Sequence, residues 1–115
     1  MTSGTGTCSV IASQAGNTNY SAAPAVTKTV TATLVAQTIT FTTNPPASAA
    51  NNSSFTVAAT GGASGNAVTF TSSGGCTNTG ATYKMTSATV VCSVIANQTG
   101  NANYSAAAQV TKTVQ

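Results

Sequence analysis

Few side chains in this sequence can do chemistry. They are Cys8, Cys76 and Cys92, Lys28, Lys84 and Lys112, and Tyr20, Tyr83 and Tyr104. Asp, Glu, His, Arg and Trp are absent. General acid–base catalysis draws on carboxylates and imidazoles, and an activated nucleophile needs a base beside it. Without either group, a Ser-His-Asp triad, paired-carboxylate hydrolysis and histidine general-base mechanisms are out of reach, and no enzyme is expected. Tight calcium sites need side-chain carboxylates, so calcium stiffening is not expected. An isopeptide crosslink from Lys84 or Lys112 lacks the acid that would move its protons. Zinc needs four ligands, and three cysteines without histidine do not supply them. The cysteines therefore favour disulfides over metal, and no cofactor or metal is expected.

The charge is equally sparse. Charged residues make up 3% of the chain and the net charge of +3 comes from three scattered lysines, where an ordinary domain is about 25% charged. Nucleic acid binding wants clustered Lys and Arg, with stacking aromatics for single strands, so no nucleic acid partner is expected. Aromatics at 5% give little support to a small-molecule or glycan site. No run approaches the roughly 18 apolar residues of a membrane span, and no membrane insertion is expected. The first residues lack the basic and apolar regions of a signal peptide, so a secretion signal would lie outside this chain. Disorder is disfavoured because 41% of the residues are hydrophobic, whereas disordered chains combine low hydrophobicity with high charge.

Self-comparison is the most informative step. Residues 1–30 and 85–114 match at 22 of 30 positions with an offset of 84 residues. Met1 aligns with Met85, Cys8 with Cys92, Tyr20 with Tyr104 and Lys28 with Lys112. The repeat unit is thus about 84 residues, and the chain holds one period plus the closing third of another. Because Met1 matches a residue inside the repeat, the expectation is a window from a longer array or a permuted protomer.

Strand signals dominate, and no helical period appears. Gln37–Thr42 alternates, with Ile39 and Phe41 on one face, until Asn44-Pro45-Pro46 ends it. Ser54–Thr60 points Phe55, Val57 and Ala59 inward, and Ala67–Ser72 points Val68 and Phe70 inward. Residues 74–80 read as a Gly-rich loop. Strands follow at Ala81–Ser87, Thr89–Asn97 and Tyr104–Val114. About seven short strands with turn signals at this spacing suit a β-sandwich. Val91 and Ile95 lie opposite the Cys92 face, either as isolated exposed apolar residues or as contacts for an adjacent repeat. Ile11 is the earlier counterpart of Ile95. Lys112 shares a face with Val110 and Val114, which a bulge or an edge position could explain.

The run Gly80-Ala81-Thr82-Tyr83-Lys84-Met85-Thr86-Ser87, the segment around Cys92, the turn Gly100-Asn101-Ala102-Asn103-Tyr104 and the opening Gln37-Thr38-Ile39-Thr40-Phe41 together resemble bacterial Ig-like repeat domains. Such repeats are strung in tandem in large extracellular proteins. The resemblance implies an all-β fold, an Ig-like antiparallel sandwich of about seven strands over 37–115. Residues 1–30 would then be the last two strands of a preceding or strand-exchanged repeat, and 31–36 a linker. It also implies that Cys76 and Cys92 pair, closing a loop worth roughly 3 kcal/mol in the chain-entropy model and pointing to an oxidising, secreted or cell-surface setting. Cys8 is left over. Its partner would precede residue 1, or lie in another chain, or be Cys76 of another chain after strand exchange.

The expected role is structural: a module of a fibre, stalk or self-assembling filament, with copies of itself or adjacent repeats as partners. The alternative is an adhesive module recognising glycan or host protein through loops 61–66 or 74–80. With no side chain titrating between about pH 3 and 7, stability is expected to be nearly flat across that range.

Overall fold

The structure, a computed structural model, describes residues 1–115 and contains strands and turns without a helix. The strands in chain order are β1 (Thr7–Gln14), β2 (Ala23–Thr31), β3 (Thr40–Thr43), β4 (Ser54–Thr56), β5 (Ala58–Thr60), β6 (Thr69–Gly74), β7 (Cys76–Thr79), β8 (Thr82–Met85), β9 (Cys92–Asn97) and β10 (Val110–Val114). All pairings are antiparallel, in sheets ordered β10-β9-β6, β4-β8-β7, β3-β5 and β1-β2. The chain is long and thin, 89 × 19 × 17 Å.

One core serves residues 37–115. Val57, Cys76, Tyr83, Met85, Cys92, Val94 and Val114 form its buried centre, with Phe41, Ala49, Phe55, Phe70 and Ala81 packed around it. The two three-stranded sheets both contribute, β7 and β8 from one and β9 and β10 from the other. Alternation explains the contribution of β9, whose Cys92, Val94 and Ala96 are buried while the residues between are not. Two aromatic pairs add to the packing, the first across β4 and β8 of one sheet and the second between β3 and β6 of different sheets. Phe55 stacks on Tyr83 at 5.4 Å, and Phe41 meets Phe70 at 6.1 Å with a tilt of 56°. The Tyr83 hydroxyl donates to the Thr71 carbonyl at 2.8 Å, so its one polar atom is satisfied inside the core.

Several strand readings change. The expected single strand Ser54–Thr60 divides at Val57. Its first half pairs with β8 and its second with β3, and the Val57 N–H carries the β4-β8 register one residue further by donating to Ala81 O. The stretch read as loop 74–80 contains β7. Gly74, at φ +80°, turns the chain out of β6, and Gly80, at φ +56°, opens the two-residue turn into β8. Composition hid this strand, because Gly74-Gly75 and Gly80 bracket it and Asn78 is turn-prone. The Asn78 side chain instead donates to Phe70 O and Gly80 O. The last strand starts at Val110 rather than Tyr104. Residues 98–109 form a long tip instead.

β10 lies at a sheet edge. That position resolves the lysine: Lys112 lies opposite buried Val94, yet is itself exposed. An edge position lets a long side chain keep its charge in water even beside a buried neighbour. A lysine on an edge strand also discourages pairing with foreign strands.

Candidate interaction surface

The hairpins β1-β2 and β9-β10 are the same object built twice. Cys8 faces Val30, Val10 faces Lys28 and Ala12 faces Val26. Adding 84 gives Cys92 with Val114, Val94 with Lys112 and Ala96 with Val110, the register found in the second hairpin. Their tips match too. Asn17 Oδ1 accepts from the N–H groups of Asn19 and Tyr20, both at 2.9 Å. Asn101 Oδ1 accepts from Asn103 and Tyr104 at 2.9 and 3.0 Å. An asparagine that bonds its own downstream backbone fixes a turn locally. The hairpin therefore owes its shape to its own sequence.

The surroundings differ completely. In the second hairpin Cys92, Val94 and Val114 are buried to 0% exposure. In the first, every residue of β1 and β2 is exposed. Cys8, Val10, Ala12, Val26 and Val30 form an apolar face interrupted only by Lys28, and no other strand of the chain pairs with it.

The cysteines follow this division. Cys76 and Cys92 are joined by a disulfide with Cα atoms 5.1 Å apart. It fastens β7 to β9, across the two sheets. Such a bond is typical of oxidising compartments. Cys8 is a free, exposed thiol at the position equivalent to Cys92.

The other candidate contact residues do not form one patch. Ile11 is 65% exposed on the outer face of β1. Ile95 is half-buried on β9, between Thr71 and Thr111. Val91 is 42% exposed and holds the Gly75 N–H through its carbonyl at 3.0 Å.

An elbow joins the first hairpin to the rest. The Gly4 N–H donates to Asn103 Oδ1 at 3.0 Å. Val35, between β2 and β3, donates its N–H to Asn103 O at 2.9 Å and accepts from the Ser105 N–H at 3.0 Å. The chain at Val35 thus runs beside the 98–109 tip, in a parallel bridge with Tyr104. A Cβ on Gly4 would come within 2.7 Å of Asn103 Cα, so the approach needs a glycine. The cleft at this elbow, about 460 Å³, is lined by small and hydroxyl residues such as Thr2, Ser3, Thr31 and Thr33, with Met1, Val35 and Asn103.

Sequence reasoning missed the amides that hold this tip. The Gln98 side chain accepts from the Gly62 N–H at 2.8 Å and donates to Asn66 O at 2.8 Å and Gly62 O at 3.2 Å. Gln37 donates to Ser105 O at 2.7 Å and accepts from the Ser64 N–H at 3.1 Å. Both side chains are buried, and no buried side-chain polar atom is left without a partner. The available signal was Gly61-Gly62, which the bare backbone needs in order to approach these amides.

Comparison with family models, with curated proteins and with solved structures gives no match to this chain.

Proposed function

We propose that this chain is a structural module of the bacterial Ig-like type, a seven-strand sandwich repeated in tandem to build an extracellular stalk, fibre or filament. The observation that carries the reading is the duplicated hairpin, identical in register across 84 residues and joined through a linker bonded to the next tip. Repeats connected in this way form a linear object, each contacting only its neighbours. The 89 Å length against a 19 Å width fits such a spacer. So does a surface of hydroxyls and amides without a cluster of acids or bases. The Cys76–Cys92 bond supports an extracellular setting. An adhesive role through loop 61–66 has less support, because that loop commits its polar groups to Gln37, Gln98 and Asn101.

The test is a tandem chain of three to five repeats observed by small-angle scattering and electron microscopy. A contour length that grows linearly with repeat number, with stiff joints, is expected. Freely bending beads would sink the stalk reading. The variant Asn103→Ala, which removes the elbow bond to Gly4, should widen the bend-angle distribution without lowering the Tm of the repeat.

A further inference from the structure

We propose that the bare face of β1-β2 is a strand-donor surface whose partner is a second copy of this chain. The donor hairpin enters that copy's body, residues 37–90, in place of β9-β10, and Cys8 then lies opposite the copy's Cys76. This rests on the repeat reading above and names the partner of its unpaired hairpin.

The structure already contains a template for the complex. In the second hairpin, Cys92 pairs with Gly74, Val94 with Ser72 and Ala96 with Phe70 along β6. The donor offers Cys8, Val10 and Ala12 at the same places. Over β1 the sequence equals residues 91–98 at six of eight positions, and the three inward residues Cys8, Val10 and Ala12 are unchanged. The body supplies Val57, Tyr83 and Met85 to cover them, as it covers Val94 and Val114. A face that fits a known cavity in sequence, register and turn is a defined ligand, unlike an apolar patch in general.

The receiver must be another molecule. Docking in the chain's own body would place Thr31 where Gln115 is, next to Ala47 and Ala49. Val35 is held at the opposite end, beside Tyr104. Val110 to Gln115 alone spans about 17 Å of strand, and Tyr104 lies beyond it. The four-residue step from Thr31 to Val35 reaches at most about 14 Å. The linker is too short for the hairpin to fold back.

Each body has its own β9-β10, present at an effective concentration on the order of millimolar. Exchange between intact chains therefore rises with chain concentration and is favoured when β9-β10 is weakened. In the intact chain Cys76 is already bonded to Cys92, so the Cys8 thiolate attacks Cys76 Sγ, the Cys76–Cys92 bond breaks and Cys92 leaves as a thiolate. Where Cys92 is replaced or the bond is first reduced, the covalent step is a dithiol oxidation. The Cys8 and Cys76 thiols lose two protons and two electrons and form one S–S bond, while oxidised glutathione takes up both and leaves as two thiols.

The test uses the full-length chain with Cys92→Ser, which frees Cys76 and loosens its own hairpin. Oxidation in a glutathione buffer should give a ladder of dimers, trimers and longer chains on non-reducing gels. Peptide mapping of mixed isotope-labelled copies should locate the bonds between Cys8 of one chain and Cys76 of another. Adding Val10→Lys, at the position equivalent to buried Val94, should cut the ladder at least tenfold. Adding Thr29→Lys, on the other face, should leave it. If Cys92→Ser does not fold, the wild type reduced and reoxidised at rising concentration replaces it. The share of Cys76 bonded to Cys8 should then climb steadily toward the millimolar range. A ladder insensitive to Val10→Lys, bonds only between two Cys8 residues, or no Cys8–Cys76 bond at millimolar chain overturns the donor surface. In those cases a stiff tandem array would still stand, because its length and joints are measured separately.

Discussion

Val10 and Val94 occupy the same register position in two hairpins of one chain, and only Val94 is covered. Each faces a lysine across its hairpin, Lys28 and Lys112. Val94 is 0% exposed and Val10 is 57% exposed. The pair separates what a hairpin contributes by itself from what burial adds. Removing two buried methyl groups loses transfer free energy and leaves a cavity, about 2 kcal/mol together. Val94→Ala should therefore destabilise the body by about that amount in urea unfolding. Val10→Ala should stay within about 0.5 kcal/mol, as surface changes do. Equal costs would mean that the first hairpin is covered in solution.

The disulfide matters because the core is small, with 12 of 115 residues buried. Cys76 and Cys92 are 16 residues apart, and closing such a loop stabilises by roughly 3 kcal/mol in the chain-entropy model. Replacing both by alanine should lower the Tm by roughly 12–24 °C at the usual 4–8 °C per kcal/mol for a small domain. Cys8→Ser should leave Tm unchanged. A shift below about 4 °C in the double variant would show that packing, not the crosslink, holds the two sheets.

Gln98 looks like a surface turn residue, and its substitution should behave like a core mutation. Its amide satisfies the Gly62 N–H and the carbonyls of Gly62 and Asn66. Gln98→Ala strands these groups away from water, and each unsatisfied buried group costs about 1–3 kcal/mol. A total loss of roughly 3 kcal/mol is expected, with faster hydrogen exchange at the Gly62 amide. Gln14, the same residue in the bare hairpin, should tolerate alanine. Matching small effects at both positions would remove the amide bracing from the account.

What could be read from the sequence follows from which interactions are local. The strand content, the 84-residue offset and the inward set Val94, Ala96 and Cys92 rest on alternation and self-similarity within short windows. The Asn17 and Asn101 turns are equally local. By contrast β7, the split at Val57 and the Gln37–Gln98 bracing depend on partners 8 to 68 residues away, so residue type alone points elsewhere. Asn78 resembles a turn former until Phe70 O is placed beside it. Lys112 breaks the inward pattern until β10 is known to be an edge.

The pH response isolates Tyr83. No side chain titrates between about pH 3 and 7, so unfolding free energy should be flat there, where acid usually unfolds proteins by protonating paired carboxylates. A midpoint that falls sharply at pH 3 would contradict this. Alkali acts differently. Burial pushes the Tyr83 phenol above its ordinary value of 10.0, with a backbone hydrogen bond from Ile95 partly opposing the shift. The folded state then keeps the phenolic proton longer than the unfolded chain does. The stability linked to that proton is fully present below pH 10 and is lost as pH rises through the higher folded value, at up to about 1.4 kcal/mol per pH unit for one proton. Tyr83→Phe should cost about 1 kcal/mol at neutral pH, through the lost bond to Thr71 O. Above pH 10 it should fall less steeply than the wild type. Parallel alkaline curves for the two proteins would show that the buried phenol does not set this limit.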